Sequence, residues 1–333
     1  MSTTTNQHTH HIQHNQHTRH IHHSTMLVLI TGITGSLGQR LANVALSRGL
    51  SVRGLGRNPD KLPTYLASRL ESFVESTSYY DIPALEKAVT SVDAVVAAYT
   101  PHPVLDLDAQ LLLLRAAERA QIKIFVASTW SRDWSNLSYG EFEHYNNHIV
   151  FEHQAATTSS TRPINIFSGL FANLLYTQYG PGAFDASGEQ PELSYYGDGD
   201  TNNWPWSGQD DVAEWTIDIL LHGDGVQAGE GDFLRIRSGV TTIKELASVY
   251  EQVFSVPVKV TRKGTLQDLK AELARLREEK GRAGYFEYMG EAAAVVASKG
   301  GWENTDVTLL DQFRKPTSLE EFLVEEEREG RMS

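Results

Sequence analysis

Apolar and polar positions change period along the chain, and those changes mark out its elements. A short β-forming run at residues 26–31 gives way to glycines and then to Leu41, Val44 and Ala45 at helical spacing. This predicts a strand, a tight turn and a helix. A second strand is expected at residues 51–55, a weak third at Phe73 and Val74, and a helix at 83–89. A strong fourth strand at 94–98, a helix at 105–120 and a fifth strand at 122–127 continue the alternation. Strands and helices alternating in this order specify an α/β fold, a Rossmann-type doubly wound parallel sheet. Further on, residues 262–282 carry Leu266, Leu269, Leu273 and Leu276 at helical spacing, the pattern of a solvated helix with one buried stripe. Asp211, ahead of the apolar residues 212–217, reads as a helix N-cap.

Residues 1–25 break the pattern. They hold eight of the thirteen histidines among Thr, Gln and Asn, with almost nothing apolar to bury. Such a stretch cannot offset its ordering entropy, so a disordered His-rich tail is expected. It has no apolar core of a signal peptide and little arginine for a transit peptide. Met26 stands directly before the first strand, where it could open a complete domain.

Composition narrows the function classes. The 333 residues, 40% of them hydrophobic, suffice for a large core, and the absence of cysteine excludes disulfides, thiolate zinc sites and cysteine nucleophiles. Forty-two acids against 29 Lys+Arg give a net charge of −13 with no basic stripe, which argues against nucleic-acid binding. No apolar run is long enough to span a bilayer. A small-molecule partner in a cytoplasmic setting is expected; the oligomeric state stays open.

The turn after the first strand reads Thr31-Gly32-Ile33-Thr34-Gly35-Ser36-Leu37-Gly38. Gly32 suits a turn closed to other residues, Gly35 lets a pyrophosphate approach, and Gly38 permits close packing of helix on strand. The helix N-terminus then offers free N–H groups to phosphates, from a loop completed by Thr34, Ser36 and Leu37. No Lys-Ser/Thr follows, so a P-loop is ruled out. Arg57, nineteen residues past Gly38 where NAD enzymes place an acid, favours NADP (NADPH) through its 2′-phosphate, with Arg53 and Lys61 adding positive charge nearby. Asp81 is expected to cap the helix at 83–89 and can also meet the adenine edge. Tyr99 and Thr100 leave the fourth strand at the end where the nicotinamide should lie. Four of the six tryptophans fall in two loops, Trp130 and Trp134, then Trp204 and Trp206. They read equally as lobe-interface cover or, with Trp130, Trp204, Trp206, Phe171 and Tyr176, as the wall of a hydrophobic pocket. Tyr176, Tyr179 and Phe184 lie in a stretch suited to a lid.

In order along the chain, the sequence resembles the atypical short-chain dehydrogenases of the NmrA-like and isoflavone reductase-like type. The resemblance rests on the glycine turn, Arg57-Asn58-Pro59-Asp60-Lys61, Phe125-Val126-Ala127-Ser128 and Phe167-Ser168-Gly169-Leu170-Phe171-Ala172-Asn173, the last taken as a sixth strand and turn. It continues through Tyr196-Gly197-Asp198-Gly199-Asp200, Asp210-Asp211-Val212-Ala213 and a closing helix at Pro316-Thr317-Ser318-Leu319-Glu320-Glu321-Phe322. It implies an NADP-binding core over residues 26–165, with residues 166–333 completing the sheet and forming a smaller C-terminal α/β substrate lobe intertwined with it. Some members reduce hydrophobic, aromatic or polyketide-like molecules; others bind the nucleotide as redox sensors. Reductases of this type carry a catalytic lysine on the helix after the fifth strand. Here that helix, expected from residue 141 to 153, has none, and counting back from Phe171 puts His148 at the position.

Two chemistries remain open. His148 could donate the proton accompanying hydride delivery, with Tyr145 or Ser128 orienting the substrate oxygen. It could instead be the base of a redox-neutral isomerase, cyclase or lyase. His144 and His148 stand four apart, at metal-ligand spacing, but the Glu of helix-borne zinc hydrolases is missing, so no metal site is expected.

Overall fold

The computed structural model describes residues 26–302, 307 and 314–330; the His-rich tail expected at residues 1–25 lies outside them. Five parallel strands, β1 (Leu27–Thr31), β2 (Ser51–Gly56), β3 (Ser72–Glu75), β4 (Ala94–Ala97) and β5 (Ile124–Val126), form a sheet in the order β3-β2-β1-β4-β5. β6 (Asn165–Phe167) extends it, because Val126 bridges Ile164 in parallel, and β10 (Phe233–Arg235) pairs with β6 beyond. This is the doubly wound order, with its reversal at β1 and β4.

Period-two burial on β1 shows why both faces are covered. Val28 and Ile30 pack with α1 (Ser36–Ser47) and α6 (Gln209–His222), while Leu29 packs with α3 (Ile82–Val89), α4 (Gln110–Arg119) and α5 (Asn146–Thr158). A short helix α2 (Thr64–Ala67) buries Leu66 at the edge. Past β6 the chain builds a second layer. β7 (Leu170–Phe171), β9 (Trp204–Ser207) and β11 (Gly239–Thr241) make one small sheet, and β8 (Glu192–Tyr196) pairs in parallel with β12 (Lys259–Gly264). α7 (Ile243–Phe254), α8 (Leu266–Lys280), α9 (Met289–Ala297) and α10 (Leu319–Arg328) complete it.

Four expectations shift. The sixth strand is residues 165–167; Ser168 and Gly169 then turn the chain, with Gly169 at φ +71°, so Leu170 and Phe171 join a different sheet. Residues 262–264, expected as helix, end the strand Lys259–Gly264: the Thr265–Asp268 capping box starts α8 only after them. The helix after β4 opens with a π-turn at Leu105–Ala109. α5 begins at Asn146, preceded by a 3₁₀ turn at Glu143–Tyr145, and runs on to Thr158.

Asp211 does not cap α6. The N-cap of α6 is Gly208, while Asp211 is fully buried in the first turn. It accepts from Ser238 Oγ at 2.7 Å and Thr317 N at 2.9 Å and pairs with Arg314 at 2.9 Å. It fastens the C-terminal segment to the core.

Candidate active site

The β1–α1 turn forms a cradle of backbone. Gly32 has φ +66°, and a Cβ there would meet Ala98 O at 2.1 Å; a Cβ on Gly38 would meet Gly32 O at 2.3 Å. Gly35 is different, with only Gly32 O at 3.2 Å beside it. Gly35 caps α1 with no side-chain hydrogen bond, so the first N–H groups of the helix stay open for an anion. Ser36 spends its hydroxyl on Gln209 at 2.6 Å, tying α1 to α6, while the Thr34 carbonyl accepts from Gln39. These residues fit a dinucleotide pyrophosphate. Leu37 lies half-buried against the same core.

The two arginines of β2 separate in role. Arg53 bonds Glu71, Ser72 and the carbonyls of Ala88 and Thr90, so it locks β2, β3 and α3 together and adds no free charge to the cradle. Arg57 is exposed at the strand end, carries no ion pair among the described residues, and lies 4.7 Å from the Tyr79 ring centroid. Tyr79 in turn meets Tyr99 edge-on at 6.5 Å. Asp81 caps α3 through Ala84 N and also accepts from Thr77 N and Oγ1, bonds that hold its carboxyl below the ordinary range. Lys61 and Thr100 are exposed. Tyr99 is half-buried, and burial pushes its phenol up to about 12. Ser128 is buried with its hydroxyl bridging the Tyr99 backbone, accepting from N and donating to O, both at 3.1 Å. Its proton is used in holding β4 beside β5.

At the carboxyl end of the sheet lies a cavity of about 330 Å³ lined by Trp130, Arg132, His144, Tyr145 and Phe171 among others. A second, of about 470 Å³, opens between the β8–β12 pair and α8–α9, lined by Trp204, Tyr195 and Leu269. Arg132, Tyr179 and Phe286 line both. Trp130, Phe171 and Trp204 thus stand on cavity walls. Tyr176 and Trp206 do not: Tyr176 bonds Leu246 O at 2.9 Å within an aromatic cluster, and Trp206 is buried beside Leu170.

His148 is buried one layer behind, stacked on Trp134 at 6.0 Å and 5.8 Å from the Tyr145 ring, with Nδ1 unpartnered. Burial alone pulls its imidazole down to about 4. His144, on the cavity wall, is pulled down to about 3 by burial and then by the neighbouring His148 and Arg132. Both rings are neutral at physiological pH. Tyr145 is buried at the N-cap of α5, and its hydroxyl accepts from Arg132 N at 3.2 Å and Nε at 3.5 Å. No acceptor for the Tyr145 proton stands among the described residues. In the π-turn, burial raises Asp106 to about 7 against the bond from His102 N. No group of three His, Asp or Glu that could hold a metal occurs among the described residues.

Sequence reading missed His144 as the histidine of the wall, and missed Arg132. The available signal was an arginine between two tryptophans, Trp130-x-Arg132-x-Trp134, in the loop leaving a central parallel strand.

Sheet order, glycine turn and a cavity under a second lobe define a Rossmann-type α/β protein. The chain belongs to the NmrA-like family, whose sequence model matches residues 24–323. It is 24% identical over 242 residues to pinoresinol reductase 2 of Arabidopsis thaliana, covering 68% of this chain and 74% of that protein. A structure from a set of pinoresinol-lariciresinol and phenylcoumaran benzylic ether reductases superposes with a TM-score of 0.72 at 20% identity, covering 90% of this chain and 98% of the other. The binary complex of leucoanthocyanidin reductase and NADPH from Vitis vinifera gives 0.68 at 20% identity, with coverage of 90% and 98%. At such identities the superpositions speak for the fold. No helix among the described residues is long and apolar enough to cross a membrane.

Proposed function

We propose that the protein is an NADP(H)-dependent reductase of a hydrophobic, aromatic small molecule. The observation that carries this reading is the aromatic-walled cavity of about 330 Å³ at the carboxyl end of the sheet. A protein that only sensed the nucleotide has no need of such a space. Membership of the NmrA-like family and relatives named as reductases support the same class. The nicotinamide, when bound, supplies hydride from its C4.

The chain's own residues divide the remaining tasks. Open N–H groups at the start of α1 hold the pyrophosphate, and the uncommitted guanidinium of Arg57 takes the 2′-phosphate. Tyr145 donates a proton to the substrate oxygen, since its hydroxyl accepts from Arg132 while its own proton is free. His148 is a positioning residue: a neutral imidazole packed behind Tyr145 and Trp134 fixes their rings without touching the cavity. It replaces the lysine that the family resemblance leads one to expect at that position.

Calorimetric titration of the full chain with NADPH and NADH tests the cofactor, and loss of NADPH absorbance over a panel of aromatic ketones and enones tests turnover. NADPH should bind roughly tenfold tighter than NADH, a preference that Arg57→Ala removes. Tyr145→Phe should lower kcat by roughly 100-fold and leave NADPH affinity unchanged. Absence of NADPH binding would sink the reading; binding with no consumption by any panel member would sink its catalytic half.

A further inference from the structure

Arg132 is 4% exposed, yet no carboxylate among the described residues pairs with it. Its neighbours are rings: the guanidinium carbon lies 5.6 Å from the Phe142 centroid, 5.5 Å from Trp204 and 5.1 Å from Trp302. Among the described residues its only side-chain hydrogen bond is the long one from Nε to the Tyr145 hydroxyl. The adjacent Asp133, equally buried, is answered by Arg235 at 2.7 Å. The carboxylates lining the larger cavity do not serve Arg132 either; Glu287 pairs with Lys280 at 2.9 Å, and Glu291 makes no ion pair with it. A buried cation without a counter-charge is costly, and it persists where a ligand supplies the missing charge.

We infer that Arg132 is the anchor for a carboxylate on the substrate, an inference that rests on the reductase reading above for the word substrate but not for the site itself. The geometry carries it. Arg132 lines both cavities at their shared wall, with Tyr179 and Phe286. A planar carboxylate received there meets the fork of a guanidinium held among three aromatic rings, and the Tyr145 hydroxyl stands beside it. The apolar body of the molecule then occupies one cavity or both. The ligand class is an aromatic carboxylic acid, more specific than the neutral greasy molecule that aromatic walls alone suggest.

Titration of the full chain with trans-cinnamate and with methyl cinnamate, followed by tryptophan fluorescence, separates the charge from the ring. The acid should bind roughly tenfold tighter than the ester. Arg132→Met should equalise the two while leaving the ester affinity as it was, and Arg132→Lys, which keeps a charge in the same cage, should retain a reduced preference. A preference for the acid in a protein that consumes no NADPH supports the site while the reductase reading falls. Equal binding of acid and ester by the unmodified protein overturns the inference, as does a preference that survives Arg132→Met.

Discussion

One methyl group separates the roles of the glycines in the β1–α1 turn. Added to Gly32 it collides with the Ala98 carbonyl at 2.1 Å in a left-handed conformation, where neither partner can move without breaking β1 from β4. Added to Gly35, whose φ is −82°, it meets nothing closer than 3.2 Å within the protein. Gly32→Ala should therefore cost more than roughly 3 kcal/mol in urea unfolding, whereas Gly35→Ala should stay within about 1 kcal/mol and still weaken NADPH binding. Equal losses of stability in the two variants would refute this division. Residues of this kind were legible because their meaning is local. Arg132 was not, since its value lies in rings contributed from positions 142, 204 and 302, and Arg53 and Arg57 look alike until Glu71 is seen to occupy one of them.

Elements were legible where period and punctuation agree, as through β1 to β5. They failed where a distant partner decides. A polar residue ahead of an apolar helical run reads as an N-cap, but Asp211 is claimed by Arg314 and Thr317, about a hundred positions on. The preceding Gly208 takes the cap instead. α10 has its own capping box, Ser318 with Glu321, and rests Leu319 and Phe322 on the α7 cluster. Asp211 thus supplies the tether rather than the helix. Asp211→Ala should leave Arg314 with only Glu214, 3.8 Å away, and the half-buried Thr317 amide without its acceptor, lower stability by about 2 kcal/mol, and speed tryptic cleavage after Arg314. Cleavage at the unmodified rate would show that the apolar contacts of α10 alone hold the segment.

At the scale of the whole molecule, the junction of sheet and lobe concentrates buried ionisable groups, and this makes global stability depend on pH. Burial holds His148 at about 4 and His144 at about 3, below the ordinary 6.5, so the unfolded chain binds more protons than the folded one as pH falls through that interval. Their contribution is complete above the unfolded value and is lost on acidification. Asp106, raised to about 7 from 3.8, works the other way, losing its contribution as pH rises through the same interval. Glu118, held down at about 2 by Ser159, Arg115 and Ser160 against its burial, matters only at more acid pH. Two histidines against one aspartate leave a net loss towards acid, to which His148 contributes roughly 2 kcal/mol between about pH 7 and about pH 5. His148→Gln removes one of the two, so His144 and Asp106 then nearly cancel. The urea midpoint of the unmodified protein should fall over that range, and that of His148→Gln should stay nearly level. Parallel curves would mean that His148 is hydrated enough in the folded state to titrate normally, and the neutral imidazole behind Tyr145 would have to be abandoned.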